Sequence, residues 1–296
     1  MKQNNKKRFY FLTKGVYTVS KIKMDMHCHT AFSFDSEADP RELCENAVRR
    51  GITHLAITDH CDYDCIISGL YEPYLADKAK ETVFSLKKEY KDRLEITYGI
   101  ELGGAHAVPK EAEELVKEYG FEFVLGSLHN LRNVPDFYFM NFKDMPDGLI
   151  ESLVDRNISE LCEIAELPFI DSVAHITYPL RYVKAVGRNF DIEKHQARFE
   201  ELLKLIIKNG KALEVNTSPY RKGIADTMPE KQLLETYRRL GGARITLGSD
   251  AHTAEGVGDG IYEAAATLKK LGFESVTIFG SFGSKREKQI SITDII

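Results

Sequence analysis

Met24-Asp-Met-His-Cys-His-Thr30 is the stretch whose reading decides the fold. It reads as the end of a short strand running into a loop. Residues two apart on a strand point to the same side, so His27 and His29 aim their rings at one point while Cys28 turns away. Two converging imidazoles are half of a metal site, because neutral imidazole is a common ligand of zinc, manganese and iron. An isolated His-x-His is better explained by two polar residues at a strand end. Repetition of the pattern along the chain separates the two readings.

Outward from this stretch, strand-like and helix-like segments alternate. A helix with legible ends comes first: Asp39 is a good N-cap, Pro40 suits the first helical position, Glu42 completes an Asp-x-x-Glu capping box and Gly51 stops the run. Residues 53–58 read as a strand that delivers Asp59 and His60. A polar-apolar helix is expected over 72–91, then a β-branched and aromatic strand over 94–100 that delivers Glu101. Residues 121–125 deliver Ser127 and His129, and 169–174 deliver His175. Between them, 130–146 carries two prolines and reads as a loop over one face, followed by a helix near 147–166. Asp191 caps a helix whose stripe Phe199, Leu202, Leu203, Ile206 and Ile207 ends at Gly210. The strand 212–216 carries Glu214 and Asn216, and 245–249 delivers Asp250 and His252. A strand-like segment at 275–279 finishes the fold.

Seven strand-then-helix units end near 27, 60, 101, 129, 175, 216 and 250, with no composition break between them. Repeated β-α units imply parallel strands. The expectation is a single α/β barrel domain over 21–296, preceded by an N-terminal extension at 1–20. In such a barrel the C-terminal strand ends gather on one face, where active sites sit. Six of the nine histidines fall at those ends, which chance is poor at arranging.

Of the 296 residues, 43% are apolar and 29% charged, ordinary for a globular protein. A net charge of −5 without a long basic run argues against nucleic acid as the main partner, but leaves room for a small anion held by a few local cations. Five cysteines at 28, 44, 61, 65 and 162 show no disulfide or zinc-finger spacing, which suits a reduced, cytoplasmic protein. The apolar run at 9–12 is too short for a signal peptide, and no stretch is long enough to span a bilayer, so no membrane role is expected.

His27-Cys-His29 followed by Asp35, then Thr58-Asp-His60, Glu101, Ser127-Leu-His129, Ala174-His175 and Gly248-Ser-Asp-Ala-His252, resembles the polymerase and histidinol phosphatase (PHP) superfamily. The match runs from Met24 to about Phe279. Leu213-Glu-Val-Asn-Thr-Ser218, Arg221-Lys-Gly223 and Gly126-Ser-Leu-His129 look like its histidinol-phosphate phosphatase branch. The resemblance implies a distorted (β/α)7 barrel with two or three divalent metal ions, zinc, manganese or iron. One ion would be held by His27, His29, Glu101 and Asp250. Glu101 would bridge to a second, held also by His129 and His175, and a third would sit among Asp35, His60 and His252. Many relatives have histidine where Asp35 stands, so the third site is the departure from the pattern. Glu101, Asp250 and His252 are the expected catalytic positions. The implied activity is hydrolysis of L-histidinol phosphate to L-histidinol and phosphate. A nuclease, phosphodiesterase or phosphotyrosine phosphatase of the same fold is the alternative, as is a barrel that only binds metal.

Arg221 first and Arg181 second are the expected phosphate contacts, with Arg188 a further loop arginine; Glu214 is expected to face the substrate amine and Asn216 to line the pocket. Asp59 reads as an orienter of a ligand histidine. His54 reads as structural and His195 as a solvent-exposed helix residue, while His106 lies where it could border the pocket. Cys61 and Cys65 flank the site, but a lone C-x3-C beside hard ligands is a weak zinc signal.

Overall fold

The computed structural model describes residues 23–63 and 73–296, the side chains of 73–75 excepted. The expected extension at 1–20, and Cys65, lie outside the described residues. The barrel strands are β1 (Met24–Asp25), β2 (His54–Ile57), β3 (His60–Asp62), β4 (Glu95–Gly103), β5 (Phe123–Ser127), β6 (Ser172–Val173), β7 (Ala212–Asn216) and β8 (Ile245–Gly248). They pair in parallel in the order β1-β2-β4-β5-β6-β7-β8, with β3 beside β4. β2 and β3 are halves of one stave interrupted at Thr58-Asp59, since His54 lies opposite Glu95 and His60 opposite Glu101.

The ring closes just beyond β1 and β8. Met26 N donates to Leu247 O, Asp250 N to His27 O and His29 N to Ala251 O, each at 2.8 Å. The first and last metal-ligand motifs are thereby stitched to each other by backbone. The result is the distorted seven-stave barrel, with its two shortest strands at β1 and β6.

Parallel neighbours require long crossovers, and helices supply them. In the first, Pro40–Arg49, the Asp39 carboxylate accepts from Arg41 N at 2.9 Å and Glu42 N at 3.0 Å, satisfying two donors that a helix start leaves free. Helices Pro73–Tyr90 and Asp147–Glu166 lie close to their expected ranges, and Pro109–Tyr119 supplies the crossover from β4 to β5. Helix Gln196–Lys208 buries Phe199, Leu202, Leu203 and Ile206 as its stripe predicts, and packs on Asp147–Glu166. Each such fully buried side chain contributes about 1.5–3 kcal/mol of transfer free energy. Asp191 caps a 3-10 turn, Ile192–His195, that feeds into this helix. His195 is therefore not solvent-exposed as expected. Its Nδ1 is 2.7 Å from Asp155 Oδ1 and its ring stacks on Phe190, so pairing across two helices covers it.

The segment at 275–279 is part of β9 (Ser275–Phe282), which is not an eighth stave. It pairs antiparallel with β10 (Lys285–Ser291), a strand the sequence hid because only Ile290 of its seven residues is buried. Thr97 Oγ1 donates to Phe279 O at 2.7 Å, and Arg286–Asp171 and Arg244–Glu287 ion pairs tie the hairpin down. Asp171 and Arg244 precede β6 and β8 and Thr97 opens β4, so the hairpin covers the N-terminal mouth. The C-terminal mouth is left for the site.

Candidate metal centre

Every stave ends with a polar side chain turned into the same mouth. Two of those ends need unusual backbone. His175 has φ 23° and Asp250 φ 55°, two of only three non-glycine residues with positive φ among the described residues. Such conformations cost on the order of 1–3 kcal/mol and persist where surrounding contacts impose them. Close approach is managed by glycine at two places. A Cβ on Gly103 would overlap Asp62 Oδ1, and one on Gly248 would overlap both His27 Cβ and Glu214 Oε1.

Glu101 is the hub. Its Oε2 lies 3.1 Å from His27 Nε2, 3.4 Å from His29 Nε2 and 3.1 Å from His60 Nδ1. Its Oε1 lies 2.8 Å from His175 Nε2 and 3.2 Å from His129 Nε2. One fully buried carboxylate thus touches five imidazoles, three through one oxygen and two through the other. Asp250 Oδ1 approaches His29 Nε2 at 3.5 Å and His27 Nε2 at 3.9 Å. The His29 ring is stacked with His60 and with His252, each at 4.2 Å between centroids. Asp35 comes in from the solvent side, 3.1 Å from His252 Nε2 and 3.6 Å from His60 Nε2. The nine side chains named as ligands are therefore gathered at one mouth.

Hydrogen bonds behind the cluster set the imidazole tautomers. His27 Nδ1 donates to Glu214 Oε1 at 2.6 Å, which turns Nε2 into the cluster, where a metal would displace its proton. Ser33 Oγ gives its only proton to Asp59 Oδ1 at 2.8 Å and accepts from His60 N, so at His29 Nδ1, 3.1 Å away, it accepts again. His29 Nε2 is then bare, and it stands 3.0 Å from His27 Nε2 beside a carboxylate oxygen. His60 Nδ1 is close to Glu101 Oε2 yet has no hydrogen bond among the described residues. Acceptors that converge without donors between them fit shared cations. Four ligand groups have that geometry: His27-His29-Glu101, Glu101-His129-His175, His29-His60-His252 and His60-Asp62-His129.

The charge balance points the same way. Burial disfavours a charged His27, yet Glu101, Glu214 and Asp250 outweigh it and lift its pKa well above the usual value. Burial and the neighbouring His60 push His29 well below its usual value. Burial opposes ionisation of Glu101 too, but His27, His60 and His129 hold its carboxyl well below the carboxylate range. Asp250 is held low in the same way, burial being overcome by His27 and His29. The acids thus favour positive charge on His27, a place that a proton or a metal cation can fill, and acids and ring nitrogens without thiolate are a donor set for zinc, manganese or iron.

Several expectations are corrected by placement. Glu214 does not face an amine. It is 1% exposed, with Oε1 on His27 Nδ1 and Oε2 accepting from His175 N and Asn216 Nδ2, so it positions the cluster from behind. Asn216 does not line a pocket; it is fully buried, bridging Glu214 and Asp250 through Nδ2 and holding Ser218 through Oδ1. Arg221 lies on the active face, but its two Nη atoms each donate at 2.7 Å to the carbonyls of Ser249 and Asp250, so it braces the strained Asp250 turn. Arg188 anchors the loop by donating to Phe142 O and pairing with Asp147. His106 is turned to Glu160 at 3.0 Å, away from the cluster. Asp59 is linked to the His29 ring through Ser33, whose Oγ donates to Asp59 Oδ1 and lies 3.1 Å from His29 Nδ1. His54 opens β2, half-buried, and burial lowers its pKa to about 4.

Arg181 is a cation turned inward. Its Nη1 is 3.9 Å from Asp250 Oδ2, its guanidinium lies over the Tyr178 and Tyr182 rings at 4.4 and 4.8 Å, and its Nε has no partner among the described residues. Sequence reasoning missed Asp62, whose Oδ1 is 3.3 Å from His129 Nδ1. The signal was present: His60-x-Asp62 is the same two-residue spacing on a strand as His27-x-His29. It also missed Asp25, which accepts from Ser249 N at 2.8 Å and Gly258 N at 2.6 Å and fastens β1 to the β8 end.

Known proteins are similar to this chain over most of its length. The PHP domain model matches residues 25–218. A probable histidinol-phosphatase of Thermotoga maritima is 30% identical over 265 residues, covering 87% of this chain and 96% of that protein. The histidinol-phosphatase of Lactococcus lactis is 25% identical over 272 residues, covering 90% and 98%. The crystal structure of the Lactococcus lactis histidinol phosphate phosphatase, complexed with zinc, L-histidinol and phosphate, superposes with a TM-score of 0.74 at 25% identity, over 87% of this chain and 97% of that one. With the model spanning most of the barrel and these relatives aligned nearly end to end, the chain belongs to the PHP domain family.

Proposed function

We propose that this chain is a metal-dependent phosphomonoesterase that hydrolyses L-histidinol phosphate to L-histidinol and phosphate. The observation that carries the reading is Glu101, a buried carboxylate shared between two groups of imidazoles. Full-length similarity to histidinol-phosphatases supports the substrate. In this reading His27, His29, Glu101 and Asp250 hold one ion, Glu101, His129 and His175 a second, and Asp35, His60 and His252 a third. Residues 21–296 form the one catalytic domain, 1–20 are an extension, and the enzyme works in the cytoplasm. No helix among the described residues is long and apolar enough to cross a membrane.

When bound, divalent ions neutralise a transferring phosphoryl group and acidify water. The chain does the rest. Glu214 and the Asp59-Ser33 relay fix the rings of His27 and His29 with their Nε2 atoms facing the cluster. In this reading Glu101, Asp250 and His252 are the catalytic positions around the phosphoryl group. Arg181 donates to a phosphate oxygen, held by Tyr182 OH accepting from its Nη2 at 2.7 Å.

Rates on histidinol phosphate, p-nitrophenyl phosphate and a phosphate bis-ester test the reading. The first is expected to be the best substrate and the bis-ester the worst. Elemental analysis should find at least two ions per chain, and chelation should abolish turnover; full activity in metal-free protein would falsify the mechanism.

The two arginines separate by role. Arg181→Ala is expected to lower kcat/KM by one to two decades, roughly 1.5–3 kcal/mol, with metal content unchanged. Arg221→Ala should act through the Asp250 turn and lower metal content as well. Equal metal loss in both variants would show that Arg181 is not a phosphate contact.

A further inference from the structure

Helix Asp147–Glu166 packs against β5 and against the 3-10 turn Ala105–Ala107 that leaves β4. Glu160, on that helix, is buried there. One oxygen of its carboxylate serves two segments: Oε2 accepts from His106 Nε2 at 3.0 Å and from Arg132 N at 3.1 Å. Arg132 closes the ring. Its Nη2 donates to His106 O at 3.0 Å, and its guanidinium pairs with both oxygens of Glu163, three residues further along the helix. Arg156 donates to Arg132 O at 3.3 Å and stands 3.6 Å from Glu160 Oε1. Burial opposes a charge on Glu160, but His106 and Arg132 hold its carboxyl below the usual value, so it stays an acceptor. His106 is buried, and its Nδ1 has no partner among the described residues; the bond to Glu160 is what holds the ring.

The partners of Glu160 lie just past two metal-ligand positions. His106 follows Glu101 by five residues, and Arg132 follows His129 by three. Glu101 and His129, with His175, form one ligand group. Their staves β4 and β5 are neighbours, paired as far as Gly103 opposite Ser127, and Gly104 N then donates to Ser127 O at 2.8 Å. The β4 exit at Gly103-Gly104 carries no side chains to fix it. A Cβ on Gly103 would overlap Asp62 Oδ1, which lies 3.3 Å from His129 Nδ1, and Gly104 has φ 65° against the Tyr63 ring. A pair of glycines is pliable, so the position of this exit is set by what it is tied to.

We propose that Glu160 is a positioning residue of the metal centre: from the covering helix it ties the exits of β4 and β5 together and so fixes Glu101 and His129 for the ion they share. The inference rests on the metal assignments of the phosphomonoesterase reading and extends them to a residue that touches neither metal nor substrate. Oxygen and nitrogen ligands of zinc stand at about 2.0–2.2 Å, so a small slip of one exit against the other is felt at the ion. The Arg132–Glu163 pair is too exposed to carry the link, since exposed ion pairs hold weakly. The bonds to Glu160 Oε2 are buried, and cutting them strands two donors.

The test loads the parent and four variants with zinc and titrates each against a competing chelator. His129→Ala identifies the step that belongs to the shared ion. Glu160→Met keeps the length of the side chain and removes its acceptors; it is expected to weaken that step about tenfold and leave the other steps within about twofold of the parent. Glu160→Gln keeps one oxygen for His106 Nε2 and Arg132 N, and should return the step to within about twofold of the parent. His106→Asn shortens the link from its other end and spares the helix. It is expected to weaken the same step about threefold, and it decides the question should Glu160→Met not fold. Parental affinity in His106→Asn and in any folded Glu160→Met overturns the positioning role. So does a fall in every step alike, which shows that the acid only supports the fold, and so does a Glu160→Gln that fails to rescue. The titration uses no substrate, so its outcome stands apart from the functional reading. A parent that binds zinc with this pattern of variants but does not hydrolyse histidinol phosphate upholds Glu160 while that reading falls. A parent that hydrolyses it with the shared step unmoved by the variants does the reverse, and a parent that binds no zinc sinks both.

Discussion

Glu101→Gln is expected to lose about three decades of kcat on histidinol phosphate, on the order of 4 kcal/mol, while remaining folded. The size follows from position. Each Glu101 oxygen serves a different group of imidazoles, so the substitution removes charge from both groups at once. It also places an amide N–H against bare ring nitrogens that need a cation. Gln is nearly isosteric with Glu and the site is fully buried, so packing around β4 should survive. His60→Ala, which removes one nitrogen at the solvent side, should cost less. The measurements are kcat, metal content by elemental analysis and the thermal midpoint of both variants. Glu101→Gln with parental kcat and two bound ions would show that the carboxylate is not shared between metals.

Glu214→Ala is expected to weaken metal binding and activity by about 10–100-fold without removing any ligand. The Glu214 carboxylate holds three donors: His27 Nδ1, His175 N and Asn216 Nδ2. Truncation strands them in a site that water reaches poorly, at about 1–3 kcal/mol for each donor left unpaired. It also frees His27 to take the other tautomer, which turns an N–H toward the cluster. Glu214→Gln keeps one acceptor oxygen and should recover part of the loss. Competition titration against a chelator reads the metal affinity, and circular dichroism melting reads the stability. Should Glu214→Ala bind metal as tightly as the parent, the orientation of His27 must come from elsewhere.

Much of the centre was legible because strand periodicity is local. A side chain at i and another at i+2 share a face wherever the backbone is extended, so His27-x-His29 points inward in any fold that makes that stretch a strand. Caps and stops are equally local, and Asp39, Pro40 and Gly51 marked a helix that formed as read. The repeat of strand and helix then implied parallel pairing, and parallel pairing gathered the strand ends into one mouth. The missed hairpin strand β10 carries almost no burial, so nothing in its own sequence distinguishes it from a loop.

The roles of the polar residues behind the ligands are another matter. Glu214 and Asn216 looked like pocket residues because both are polar and near a strand end. They lie inside the barrel because β7 turns them toward His27 and Asp250, residues 187 and 34 positions away in the chain. Arg221 and Arg181 follow their strands at similar spacings, yet one clasps backbone carbonyls and the other is lifted onto two tyrosine rings beside Asp250. His195 is buried only because Asp155 approaches from a separate helix. By itself the sequence determined which side chains stand at the strand ends and hence the chemistry of the centre, since that depends on spacing within one segment. Tertiary structure alone decided which of them donate, which accept and which are left for a ligand, because a hydrogen bond is settled by what the rest of the chain brings within 3 Å.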